Sequence, residues 1–161
     1  MALERMAIGV MLGVGEDPQD SIRKVLDVGV NNAQMGRPGD EWLSGERAAE
    51  LKKVIDDSGI TITTVFCGFD GESYADIPTV RRTVGFVPKD TRRPRLAKAK
   101  QIAAFAKVLG CEVVAAHIGF VPEDPDEPDY QDIVGVGASA CCGSSRTSAE
   151  TTCGSTSTRR T

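Results

Sequence analysis

The chain has 161 residues, enough for one domain, and 40% of them are apolar, enough to build a core. A net charge of −4 disfavours a nucleic-acid partner, because phosphate binding calls for a basic surface. The N-terminus Met1-Ala2-Leu3-Glu4-Arg5 has no apolar h-region and no run of about 18 apolar residues follows, so no signal peptide or membrane span is expected and the cytoplasm is the default location.

Residues 6–12 read as a first strand. Asp17 is placed to cap a helix with Pro18 at its first position, and Ile22, Val25, Leu26 and Gly29 follow at helical spacing. Asn31 to Met35 is a short second strand. Ser44 is placed to cap a second helix whose apolar stripe is Ala48, Leu51 and Ile55. Ile60 to Cys67 is a β-branched third strand, followed by a loop of some twenty residues. A third helix runs from about Arg93 to Leu109, with Leu96, Ala99, Ile102, Ala103, Ala106 and Leu109 on one face, and Val113 to Ile118 is a fourth strand. Asp129 to Val134 opens a fourth helix.

From Gly135 the character changes. The last 27 residues hold six Ser, six Thr, four Gly and three Cys, with Val136 the only large aliphatic side chain. So little apolar area cannot offset the entropy of ordering the chain, and disorder is expected there. The five cysteines are an odd number without C-x-x-C spacing, which argues for free thiols rather than a zinc or redox motif.

An internal repeat runs through residues 1–134. Three helices end at glycine and enter a strand at once: Val28-Gly29-Val30, Ser58-Gly59-Ile60 and Leu109-Gly110-Cys111. Glycine there supplies the left-handed residue that closes a helix, and the first two are one βα unit apart. Strands alternating with amphipathic helices mean a parallel α/β sheet, either doubly wound or a (β/α)8 barrel. The first strand leads into Leu12-Gly13-Val14-Gly15-Glu16-Asp17, which lacks the third glycine of a dinucleotide loop. Gln34, Cys67 and His117 fall at successive strand ends, where barrel enzymes keep their functional groups.

The text around these strand ends carries a resemblance. The runs Thr63-Thr64-Val65-Phe66-Cys67-Gly68-Phe69, Tyr74-Ala75-Asp76-Ile77-Pro78-Thr79-Val80, Thr83-Val84-Gly85-Phe86-Val87-Pro88 and Val114-Ala115-Ala116-His117-Ile118-Gly119 together resemble the xylose isomerase-like TIM barrels, the sugar phosphate isomerases and epimerases, over roughly residues 5–134. The resemblance implies an incomplete (β/α)8 TIM barrel of about three and a half βα units on residues 1–134, with residues 135–161 a low-complexity tail that is disordered or out of frame.

It implies a sugar or sugar phosphate as small-molecule partner and Gln34, Cys67 and His117 as substrate-pocket residues. A divalent metal serves the intact family, where it polarises carbonyl and hydroxyl oxygens while paired glutamates move a proton at the adjacent carbon. Those ligands and acid–base groups belong to later strands, so no catalytic residue is assigned, no metal is expected on this chain alone, and the chain is expected to be inactive. The alternatives are an endonuclease IV-like metal-dependent phosphodiesterase, in which His117 would ligate metal, and a non-catalytic fragment. The single histidine and the acidic charge oppose the phosphodiesterase.

Other groups have plainer readings. The acidic run Glu123 to Asp129 lacks the spacing of a calcium loop and reads as solvated. Arg81, Arg82, Lys89, Arg92, Arg93 and Arg95 could meet a phosphorylated substrate but read as a solvated loop face. Trp42 could cover a sugar face, or pack beneath its loop. Unpaired edges of a half barrel invite self-association.

Overall fold

A computed structural model describes residues 7–141, with side chains through Val136. Its four strands, β1 (Gly9–Leu12), β2 (Asn32–Met35), β3 (Thr61–Cys67) and β4 (Val114–Ala116), form one sheet in the order β1-β2-β3-β4, every neighbouring pair parallel. Helices α1 (Pro18–Asp27), α2 (Gly45–Ser58), α4 (Lys89–Leu109) and α5 (Pro128–Cys141) follow the four strands in turn, and a short α3 (Ile77–Thr83) lies between β3 and α4. A doubly wound sheet reverses its strand order; this one does not. Parallel crossovers are right-handed, so a steadily advancing order puts every helix on the same side of the sheet. That is the barrel arrangement.

The two sides of the sheet differ accordingly. In β1, Leu12 is 2% exposed and its neighbour Met11 62%. Leu12, Ala33, Met35, Val65 and Cys67 join Ile22, Val25, Leu51, Ile55, Ile102 and Phe105 from the helices in one buried cluster. Met11 and Gln34, paired in register, point to the other side with Phe66 and Ala115.

Local chemistry explains most boundaries. Asp17 accepts from the backbone N–H groups of Gln19 and Asp20 with Pro18 in the first turn of α1. Gly59 and Gly110 end α2 and α4 in the left-handed conformation, at φ 72° and 76°. Ser44 occupies the cap position of α2, but its side chain makes no capping bond. The sequence reads residues 68–88 as loop. They contain α3 instead, started by Asp76, whose carboxylate accepts from Thr79 N–H at 2.7 Å with Pro78 in the first turn. None of its residues is buried, so periodicity could not reveal it.

Two further boundaries move. α4 begins at Lys89 rather than near Arg93 and carries Pro94 inside. Its first turn is fastened by Arg92, which donates to the carbonyls of Phe86 and Val87. The helix opened at Asp129 covers Pro128–Cys141 among the described residues, so the change of composition at Gly135 falls inside it. Residues 142–161, on which the expectations of disorder and a shifted frame mostly rest, lie outside the described residues. No described helix is long and apolar enough to cross a membrane.

Candidate functional site

The C-terminal ends of the strands carry the three groups singled out in the sequence, and the structure separates them. His117 stands one residue beyond β4, exposed on the side of the sheet that no described helix covers. Its Nδ1 lies 2.6 Å from the phenol oxygen of Tyr74, and the edge of Phe66 packs on the imidazole with ring centres 5.1 Å apart. The Tyr74 ring meets the same imidazole at 5.7 Å and 73°. Partial burial, aided by the charge of Glu72, pushes the Tyr74 phenol above its ordinary pKa. It therefore keeps its proton at neutral pH and can donate to Nδ1. That tautomer leaves Nε2–H turned away from Tyr74 as a donor, a geometry suited to a hydroxyl or carbonyl oxygen.

Tyr74 is held by a loop with little freedom. Glu72 accepts from Phe69 N–H at 3.1 Å and from Gly85 N–H at 2.7 Å. Thr83 accepts from Ser73 N–H and donates back to the Ser73 carbonyl. The Gly85 carbonyl receives a 2.7 Å bond from Arg95, which is 5% exposed, and Phe86 and Val87 donate to the carbonyl of Ile118 beside His117. Gly85 has φ +73°, and a Cβ there would stand 2.2 Å from the Ile118 oxygen. Only glycine fits. Arg92 and Arg95, read from the sequence as part of a solvated basic face, thus fix the loop that carries Tyr74.

Cys67 is a correction. It pairs with Ala116 but faces the helices, is 2% exposed, and burial pushes its thiol up to about 11. It is on the opposite side of the sheet from His117 and cannot touch a ligand there. Gln34 is exposed on the uncovered side, yet the register sets it level with Thr64, itself one residue before the Val65–Val114 pair. His117 is therefore four residues farther along and two strands across, about 13 Å in the strand direction alone. Gln34 and His117 do not share one sugar-sized space.

The remaining candidates are structural. Trp42 is wholly buried under the guanidinium of Arg47, 3.8 Å above its ring, and offers no face to a sugar. Arg37, immediately after β2, binds Asp70 at 2.7 Å and Asp40 at 3.1 Å, and Lys98 joins Asp40 at 2.8 Å. Bonds from Lys98, then Arg37, hold the Asp40 carboxyl below its usual range, and Arg37 does the same for Asp70. These ion pairs lace strand-end loops together. Most of the acidic run Glu123 to Asp129 is exposed, and Asp129 pairs with Lys89 at 2.5 Å. Among the described residues no three His, Cys, Asp or Glu side chains gather where they could hold a metal ion, and His117 has no carboxylate bonded to it. The residues described do not by themselves fit the divalent metal that the resemblance implies.

Sequence reasoning passed over Tyr74 as a site residue although its segment had been singled out. Its one available signal is an aromatic side chain among the polar and small residues 70–76 that follow a strand end.

Solved structures share this fold. A xylose isomerase domain protein from Planctomyces limnophilus matches at TM-score 0.75 and 40% identity, over 84% of this chain and 49% of that one. The 3-keto-D-glucoside 4-epimerase of E. coli matches at 0.56 and 15% identity, over 86% of this chain and 52% of its own. A D-psicose 3-epimerase from Clostridium cellulolyticum, solved with D-tagatose, matches at 0.54 and 17%, over 84% of this chain and 48% of its own. The two epimerases, at such identity, bear on the fold alone. The chain spans about half the length of the structures it matches. No protein-family model matches the sequence, and no curated protein does.

Proposed function

We propose, from the premise that this chain has the xylose isomerase-like TIM barrel fold over its described residues, that it forms one wall of a sugar-binding pocket of the isomerase and epimerase kind. The observation that carries the reading is the His117–Tyr74 pair at the mouth of the uncovered face, with Phe66 beneath it. A tyrosine-oriented imidazole next to an aromatic edge suits a sugar, which presents hydroxyls at its rim and C–H groups on its faces. His117 would donate from Nε2 to a hydroxyl or carbonyl oxygen, Tyr74 would fix that tautomer, and Phe66 would line the apolar side of the ring. Gln34 is too distant to bind the same ring, and Cys67 belongs to the core.

Isomerisation and epimerisation at a carbon beside a carbonyl need a base to remove a proton and an acid to return it. The described residues place no carboxylate on His117, and a lone imidazole held by a phenol does not make such a pair. On this reading the wall binds sugar and does not turn it over by itself.

Titrating the full chain with D-psicose, D-tagatose and D-fructose, while following the imidazole nitrogens of His117 by NMR, tests both parts. Saturable shifts of the His117 signals in the millimolar range are expected. Carbon-bound hydrogen should not exchange with deuterated water, with or without added Mg2+, Mn2+ or Co2+. Unmoved His117 signals would remove the sugar reading. Deuterium appearing in the sugar would overturn the absence of turnover.

A further inference from the structure

Two charged side chains stitch together the ends of the loop that follows β3. The Glu72 carboxylate accepts from Phe69 N–H through one oxygen and from Gly85 N–H through the other, at 3.1 and 2.7 Å. The Arg95 guanidinium donates to the carbonyl of Asp70 at 3.4 Å and to that of Gly85 at 2.7 Å. Both side chains span the same gap, from the end of β3 to Gly85, and Gly85 has its N–H and its carbonyl each held by a charge. Bonds of this charge-assisted kind are about twice as strong as neutral ones. Across the gap Phe69 and Phe86 pack edge to face at 5.1 Å, with the guanidinium 5.5 Å from the centre of the Phe69 ring. Arg95 is buried, and among the described residues it bonds carbonyls and no carboxylate. Burying a cation is costly, and two carbonyls offset that cost only while the gap stays closed.

The closed gap reaches His117 from two directions. Tyr74 lies two residues after Glu72, and the Ser73 N–H between them is taken by Thr83 at 3.1 Å, so the carboxylate and the hydroxyl together set where the phenol stands. Just past Gly85, the N–H groups of Phe86 and Val87 both donate to the carbonyl of Ile118, at 2.7 and 3.2 Å, next to His117. One neck thereby fixes both partners of a 2.6 Å contact whose residues stand 43 apart in the chain. We infer that Glu72 and Arg95 are positioning residues, which set the tautomer of His117 through Tyr74 and touch no ligand themselves. This deepens the sugar reading and rests on it for the ligand, whereas the tautomer is observable with no sugar present.

Imidazole nitrogen shifts of His117 in the full chain, recorded in weakly alkaline buffer, read the ratio of its two neutral tautomers. Glu72→Ala removes both acceptors and should change that ratio about fivefold, the equivalent of one ordinary hydrogen bond. Glu72→Gln keeps one acceptor oxygen in place of two and should fall between Glu72→Ala and wild type. Arg95→Lys replaces the fork by a single ammonium and should shift the ratio in the same direction. Adding Tyr74→Phe to Glu72→Ala should change nothing further, because both act on one bond. Ile55→Val, a core substitution in α2 outside the loop, should leave the ratio as in wild type. A wild-type ratio in Glu72→Ala with the circular dichroism spectrum retained would overturn the inference, as would a wild-type ratio in Glu72→Gln if the alanine variant does not fold. So would a further shift in the double variant, or an equal shift in Ile55→Val. In the sugar titrations Glu72→Ala should raise Kd about fivefold, in step with the tautomer. If no sugar moves the His117 signals even in wild type, the sugar reading falls and the tautomer ratios still decide the role of Glu72.

Discussion

The two faces of one sheet are built from the same strands, often from adjacent residues, yet they follow different rules. On the helix side, Leu12, Ala33, Met35, Val65 and Cys67 are nearly or wholly sealed against Leu51, Ile102 and Phe105, and any change of volume is felt by several neighbours. On the bare side, Met11, Gln34 and His117 meet solvent, and order comes from a few hydrogen bonds and ring contacts. The contrast puts the core and the proposed sugar wall on opposite sides of a layer one residue thick.

The largest expected difference comes from matched truncations. Leu51→Ala, at a wholly buried side chain on the covered side, should lower unfolding free energy by about 2–5 kcal/mol in urea titrations. Met11→Ala on the bare side, where the side chain is 62% exposed, should change it by less than about 0.5 kcal/mol. Equal effects would break the contrast.

Cys67 provides an intermediate effect through pH. Burial raises its pKa from 9.0 to about 11, so the unfolded chain releases the thiol proton first and stability falls as pH rises through that window. The difference between wild type and Cys67→Ala should be flat below pH 9 and shrink by about 2 kcal/mol by pH 11, since one pKa unit is worth about 1.4 kcal/mol. A difference that is constant with pH would place the thiol in contact with water, on the side assigned to ligand.

Tyr74→Phe should have the smallest effect on stability, below about 0.5 kcal/mol, because its hydroxyl bonds one exposed partner. It should nevertheless change the balance of the two neutral His117 tautomers, visible in the imidazole nitrogen shifts. An unaltered tautomer ratio would show that the phenol does not orient the ring.

Much of this was legible before any coordinates. Asp17-Pro18 announced α1, Gly59 and Gly110 ended helices where glycine was placed to end them, and the stripe Ala48, Leu51, Ile55 is buried as its spacing requires. Those signals are local: a cap, a left-handed residue and a helical period act within a few positions of themselves. The site was less legible. Cys67 and His117 look alike in sequence, each at a strand end, but a strand alternates its side chains, and which face Cys67 joins depends on where the helices dock. Gln34 and His117 share a face, but the β2–β3 register, shifted between Ala33 and Gln34, and the pairing of β3 with β4 keep them apart.

Sequence alone therefore determined the parallel α/β repeat, the helix stops and the position of His117 at the C-terminal end of a strand, because each follows from side-chain period and backbone preference over short range. Tertiary structure alone decided that Cys67 belongs to the core, that Arg95 is a buried clasp on the Gly85 loop, and that Tyr74, 43 residues from His117, is its hydrogen-bond partner. Each of these depends on distant segments meeting in one register. Spacing along the chain does not encode that.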